Sequence, residues 1–249
     1  MKPIAYDRNF GKWFVKDVLL AIRKYQMIRD GETVRVALSG GKDSTTLLYI
    51  LSYLRRFSHL QFELEALHVR TTEYDTSVLS DYCQRVEVPY RESDLRDGPD
   101  ATAKNPCYIC SRLKRGALSE MLADAPDCRV AYGHHADDAA ETLFMNMIQN
   151  RKLGSFSPCV SVPGGRMTII RPMIYLAEST IRRLHGFIGL PLLEYQCPHE
   201  ETGSRKKFKA HVAGLNTYFG VSDFSRRVVD SIENIDRTNI WPDLGPCED

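Results

Sequence analysis

The sequence predicts an α/β protein built on a doubly wound, mostly parallel sheet of five strands, with a helix before it and a helical appendage after it. Three observations carry this prediction. Short β-branched runs alternate with segments of helical periodicity from residue 34 to residue 171, two strand-to-helix junctions are glycine turns, and strand signals fade beyond Pro172.

Taken in order, Phe14, Val15, Val18, Leu19 and Ile22 recur at helical spacing and predict a helix over 12–25, a lid on the sheet that ends before Arg29-Asp-Gly-Glu32. Strand 34–38, helix 43–57, strand 62–69, helix 76–86 and a short strand over 86–91 follow. Residues 93–106, rich in Asp, Gly, Lys, Asn and Pro, form an exposed loop. Helix 108–123, strand 128–132, helix 137–149 and strand 167–171 complete the alternation. Helices over 177–188, 204–219 and 222–232 form the appendage, and Leu192-Leu-Glu-Tyr195 suggests one more strand. The chain therefore divides into a helical lid (1–30), a nucleotide-binding α/β unit (31–175) and a C-terminal appendage (176–249).

A chain of 249 residues buries about 70–75% of its unfolded surface without staples. Hydrophobic residues at 43% and charged residues at 26% are ordinary for a soluble globular protein. Charges at the N-terminus exclude a signal peptide and no run reaches membrane-span length, so a cytoplasmic protein without membrane association is expected. Seven cysteines, odd in number and unevenly spaced, favour metal or redox chemistry over a disulfide framework. The net charge of +1 excludes a globally basic nucleic-acid binder. Local clusters (Arg112, Lys114 and Arg115; Arg182 and Arg183; Arg205 to Lys209; Arg226 and Arg227) suit either RNA contact or solvated helix faces.

The first junction, Ser39-Gly40-Gly41-Lys42-Asp43-Ser44, is a phosphate cradle. Adjacent glycines let successive N–H groups converge on one anion, and the helix that follows adds positive potential at its N-terminus. Lys42, Ser39 and Ser44 can complete the anion's contacts. The spacing is not that of a Walker A loop, whose glycines stand further apart. The second junction, Gly133-His-His-Ala-Asp-Asp138, puts two carboxylates at a helix start. The helix dipole stabilises them in part, and a nearby cation such as nucleotide-bound Mg²⁺ completes the explanation. His134 and His135 there can position a substrate, move a proton, or be held by ordinary hydrogen bonds.

Cys107-Tyr-Ile-Cys110 stands at a helix start beside Arg112, Lys114 and Arg115, where thiolates are favoured. The pair alone fits a redox couple, half of a zinc site completed by Cys197 and His199, or part of an iron–sulfur site. Cys83 and Cys128 read as small buried hydrophobes.

The Ser39–Ser44 loop resembles the PP-loop of the ATP pyrophosphatases. Cys107, Cys110, the Ser111-Arg-x-x-Arg-Gly context, Gly133-His-His-x-Asp-Asp138, Arg171-Pro-Met-Ile-Tyr175 and Cys197 run in the order found in the tRNA 2-thiocytidine synthetase family, and this resemblance covers roughly residues 10–215. It implies an adenine nucleotide alpha-hydrolase-like fold and an ATP-dependent sulfurtransferase that adenylates a pyrimidine carbonyl in tRNA. ATP would contact Ala37, Ser39, Gly40, Gly41, Lys42, Asp43, Ser44, His68, Gly133 and Asp138. Asp43, Asp137 and Asp138 would hold Mg²⁺. A 4Fe-4S cluster would be held by Cys107, Cys110 and Cys197, with one iron open to hydrosulfide. Lys114, Asp137, Cys107 and Cys110 form the implied catalytic set. A sulfide or persulfide donor such as a cysteine desulfurase, and a homodimer, are the implied partners besides tRNA. This chain departs from the family at Cys197-Pro-His-Glu200, where a second C-x-x-C is common.

Overall fold

The β-branched run Thr33–Ala37 (β1) forms the middle of the sheet in the computed structural model. The structure describes Ile4 and residues 6–95, 106–125, 127–163, 167–194 and 204–235, leaving aside the side chains of Cys107 and of residues 204–207. On one side β1 pairs in parallel with β2 (Glu63–Arg70), with Val36 opposite Ala66. On the other it pairs in parallel with β4 (Cys128–Ala131), with Val36 opposite Ala131. Beyond these lie β3 (Tyr90–Asp94) and β6 (Met167–Ile170), and β5 (Cys159–Ser161) runs antiparallel along β6, giving the order β3-β2-β1-β4-β6-β5. The order reverses between β1 and β4, so a crevice opens at the carboxyl ends of those two strands.

Helices cover both faces, which is why β4 and β6 are buried along their whole length. In α3 (Lys42–Phe57) every residue from Ser44 to Leu54 is buried, and α2 (Val15–Lys24) adds Val18, Ala21 and Ile22 to the same core. Tyr82 of α4 (Ser77–Arg85) donates its hydroxyl to the carbonyl of Thr45 at 2.8 Å. On the opposite face, Leu118 of α5 (Pro106–Met121) packs with Leu67, Val69, Val130 and Ile169. The remaining helices are α6 (Ala136–Asn150), α7 (Glu178–Ile188), α8 (Ser204–Phe219) and α9 (Phe224–Glu233), with α8 and α9 packed on α6. No helix among the described residues is long and apolar enough to cross a membrane.

The doubly wound class holds, with four differences in detail. A sixth strand, β5, closes a hairpin onto β6, and the Pro163-Gly-Gly165 breaker between two β-branched runs is its sequence signal. The strand expected over 86–91 begins at Tyr90, because Glu87 takes a positive φ of 58° and its register is set by Tyr90 opposite Ala66. Val86 and Val88 are buried core residues of the preceding turn. The N-terminal helix starts later, and a short turn α1 (Arg8–Gly11) precedes it; at Gly11 a Cβ would lie 2.5 Å from the Tyr53 hydroxyl. Residues 192–194 form no strand, and Tyr195 lies outside the described residues. Cys83 and Cys128 are buried as expected, and burial pushes the Cys83 thiol up to about 12.

Glu233 ties the last described helix to the first core helix. Its carboxylate accepts from Lys24 at 2.7 Å and from the hydroxyls of Tyr25 and Tyr175. Replacing it by alanine leaves two half-buried hydroxyls without their acceptor. We expect Glu233→Ala to cost about 2 kcal/mol in denaturant titration, the scale of losing hydrogen bonds to a charged group.

Candidate active site

Four residues, Leu38 to Gly41, separate the end of β1 from the first turn of α3. Gly40 adopts a φ of +85°, a conformation that favours glycine, and a Cβ there would meet Leu193 at 2.5 Å. The amide of Leu193 donates to the Gly40 carbonyl at 2.9 Å, so the segment once suggested as a strand closes over the loop instead. Inside the loop the Ser44 hydroxyl accepts from Ser39 Oγ at 3.0 Å and from the Gly40 amide at 3.1 Å. The Ser39 hydroxyl and the Gly40 amide thus converge on Ser44 Oγ at the α3 N-terminus, the end of a helix that favours an anion.

The second junction presses directly against the first. A Cβ on Gly133 would stand 2.9 Å from the Asp43 carbonyl carbon and 3.1 Å from the Ser44 amide nitrogen, so backbone meets backbone. The imidazole of His135, 1% exposed, is encircled as a result. Its nitrogens lie 3.7 Å from Asp43, 3.7 Å from Asp137 and 3.4 Å from Asp138. The three carboxylates expected to manage Mg²⁺ are therefore brought together around one histidine. Among the described residues no group of three His, Cys, Asp or Glu side chains is arranged to hold a metal ion by itself. Mg²⁺ ordinarily combines one or two carboxylates with phosphate oxygens, which such an arrangement permits.

The two aspartates at the α6 start have different local tasks. Asp138 accepts from the His135 amide at 3.0 Å, capping its own helix. Asp137 reaches outward to accept from the Glu178 amide at 2.7 Å and from Ser225 Oγ at 2.9 Å, which caps α7 and fastens α9.

His68, at the end of β2, is 1% exposed and bonds the Leu38 carbonyl at 2.7 Å through Nδ1. A carbonyl only accepts, so Nδ1 carries the proton and Nε2 receives the Tyr74 hydroxyl at 3.1 Å. Burial pushes its pKa down, and the charge of Lys114 on α5 adds to this. Ala37 closes β1, half-buried beneath the loop. Cys110 has a half-buried free thiol on α5, three positions after Cys107; the Cys107 side chain and Cys197 lie outside the described residues.

Two further contributors, Arg171 and Glu178, stand outside the implied set of site residues, and of the two only Arg171 belongs to a motif. Arg171, 7% exposed, donates Nε to His134 Nδ1 at 3.1 Å and lies 4.7 Å over the Phe156 ring. Burial pushes its pKa down to about 10. Glu178 takes Lys42 at 2.8 Å, Lys209 at 2.7 Å and Arg182 at 3.2 Å on one carboxylate oxygen. Burial resists its ionisation, but Lys209 and Lys42 prevail and bring the pKa to about 2.

With this geometry in view, residues 15–193 match the model of a family described as the PP-loop domain. The tRNA-cytidine(32) 2-sulfurtransferase of Idiomarina loihiensis is 34% identical over 82% of this chain and 71% of its own length. That of Syntrophotalea carbinolica is 35% identical over 86% of this chain and 85% of its own. The chain belongs to the PP-loop family, in the branch of these sulfurtransferases. Among solved structures, the U34-tRNA thiolase NcsA from Methanococcus maripaludis, determined with its 4Fe-4S cluster, aligns with a TM-score of 0.70 at 20% identity, covering 90% of this chain and 80% of that one. This likeness shows that the PP-loop fold extends over nearly the whole chain.

Two outcomes follow from the site's packing. Gly133→Ala forces the α3 N-terminus to move; it should cost about 1–3 kcal/mol in thermal unfolding and abolish nucleotide binding in calorimetry. The depressed Glu178 pKa means that its ionised form adds stability above the usual carboxylate range, and this is lost as pH falls toward about 2. Glu178→Gln should therefore show a shallower loss of melting temperature between about pH 5 and pH 2 than the parent chain.

Proposed function

We propose that this chain is an ATP-dependent tRNA sulfurtransferase that replaces the carbonyl oxygen of a pyrimidine with sulfur, as its tRNA-cytidine(32) relatives are named for doing. The observation that carries the proposal is the fusion of two glycine turns into one anion-binding crevice, with Lys42 and three carboxylates at its rim. Ser39 to Ser44 bind the ATP phosphates, and Ala37, His68 and Gly133 line the nucleotide pocket. Asp43 and Asp138 take Mg²⁺ with the phosphates, while Asp137 keeps the α6, α7 and α9 termini in place beside them.

The pyrimidine oxygen attacks the α-phosphorus of ATP, and the bond to the β-phosphate breaks as pyrophosphate leaves. Sulfide then attacks the activated ring carbon, and the carbon–oxygen bond breaks as AMP departs. Lys42 and the loop amides offset the charge that builds on the phosphates. Lys114 of α5 acts as acid or base.

Cys107, Cys110 and Cys197 are the residues that would hold a 4Fe-4S cluster. The donor chemistry of the described part fits: Cys110 is a half-buried free thiol on the helix that also carries Cys107. When bound, the cluster would supply a site that carries sulfur. The sulfur source this step needs is sulfide itself, or a persulfide donor such as a cysteine desulfurase together with a thiol reductant that brings the transferred sulfur to the sulfide level. The remaining partners are tRNA and a second copy of the chain.

Lys42→Met should lower tRNA-dependent AMP formation about 100-fold, measured by nucleotide chromatography. Protein purified without oxygen should contain iron and acid-labile sulfide, and Cys110→Ala and Cys197→Ala should each lose both. Zinc in their place would refute the cluster.

A further inference from the structure

Lys42 is held by two carboxylates. Asp43 Oδ1 and Glu178 Oε1 each stand 2.8 Å from its ammonium, and the Glu178 side chain is only 12% exposed. The same oxygen of Glu178 also accepts from Lys209 of α8 at 2.7 Å and from Arg182 of α7 at 3.2 Å. Asp137 fixes the Glu178 backbone, so the carboxylate cannot drift away from the loop as a free side chain would. Glu178 and Arg182 further line a cleft of about 400 Å³ with Asp137, Asn216 and Ser225, where α7, α8 and α9 meet.

A phosphate that binds Lys42 adds negative charge beside Glu178. Like charges at such distances repel strongly in a partly buried site, so either the phosphate is weakened or Glu178 turns to its other cations. Lys209 and Arg182 are already in contact and can take it without exposing an unpaired charge.

We propose that Glu178 is a positioning residue that competes with nucleotide phosphate for Lys42 and, on yielding it, leans on Lys209, so that filling the phosphate loop is felt by helix α8. Helix α8 follows the segment bearing Cys197 in the sequence and packs on α6. The relay thus joins the two halves of the proposed reaction through one carboxylate. The inference rests on the reading that the Ser39–Ser44 loop binds ATP.

The test is calorimetric binding of ATP and of inorganic pyrophosphate to the full chain. Glu178→Gln removes the competitor and should tighten pyrophosphate binding about fivefold. Lys209→Met leaves Glu178 with one cation fewer and should weaken it about threefold. The double variant decides between a relay and simple charge addition. If Lys209 acts through Glu178, the double variant binds as tightly as Glu178→Gln alone; if the charges merely add, the two effects nearly cancel and the relay is overturned. Hydrogen exchange should show α8 changing protection on pyrophosphate addition in the parent chain and not in Glu178→Gln. Unchanged or weaker binding by Glu178→Gln, shown by circular dichroism to be folded at the titration temperature, overturns the proposal alone. A parent chain that binds neither ATP nor pyrophosphate overturns the ATP reading, and the proposal with it.

Discussion

A glycine backbone packed against the first turn of a neighbouring helix is the contact on which this site depends. Because β1 and β4 are parallel neighbours with Val36 opposite Ala131, the turns that follow them emerge side by side. Their backbones meet only because Gly133 lacks a side chain where Asp43 and Ser44 pass. Any Cβ would separate the turns, and with them the aspartates that stand within 4 Å of the His135 ring. Sheet order, turn chemistry and carboxylate placement are in this sense one constraint.

That constraint gathers acidic groups, and the surrounding structure answers with local cations and amide dipoles. The chain's net charge of +1 says nothing of this. Asp137 and Asp138 sit where a helix N-terminus favours negative charge, and each accepts backbone N–H groups besides. Glu178 gathers Lys42, Lys209 and Arg182, while Arg171 contributes a buried cation wired to the same turn through His134. Groups that neutralise each other at contact distance are little screened by salt, so the site keeps its polarisation in the cell.

The sequence made the doubly wound class and both glycine turns legible, because each rests on local signals: period, breaker residues and the strand-to-helix transition. Helix α8 spans 204–219, the range that periodicity alone predicts. The misread places share a physical cause. At Val86 and Val88 alternating apolar residues mark a buried turn, since burial and strand pairing leave the same pattern in sequence. Leu192 and Leu193 look like a strand, but the Leu193 amide is taken by the Gly40 carbonyl, a partner about 150 positions away in the chain. The bonds of Asp137 to Glu178 and Ser225 likewise come from tertiary packing, which no local pattern encodes. Glu178 carries no motif at all.

The same tertiary logic explains why the appendage belongs to the site. Ser225, in the first turn of α9, holds Asp137, and Glu233 at the far end of that helix holds Lys24, Tyr25 and Tyr175. Tyr175 ends the Arg171-Pro-Met-Ile-Tyr175 turn, and Arg171 at its start is bonded to His134. Helix α9 is therefore pinned at both ends to the pieces that form the crevice wall, and Arg226 packs 4.0 Å over the Tyr175 ring between the two pins. A helix fixed at one end can swing; fixed at two, it transmits displacement along its axis. Movement of Asp137 is consequently resisted by Tyr25 and Lys24 near the other end of the chain, which makes the N-terminal helix a structural support of the crevice as well as a cover for the sheet.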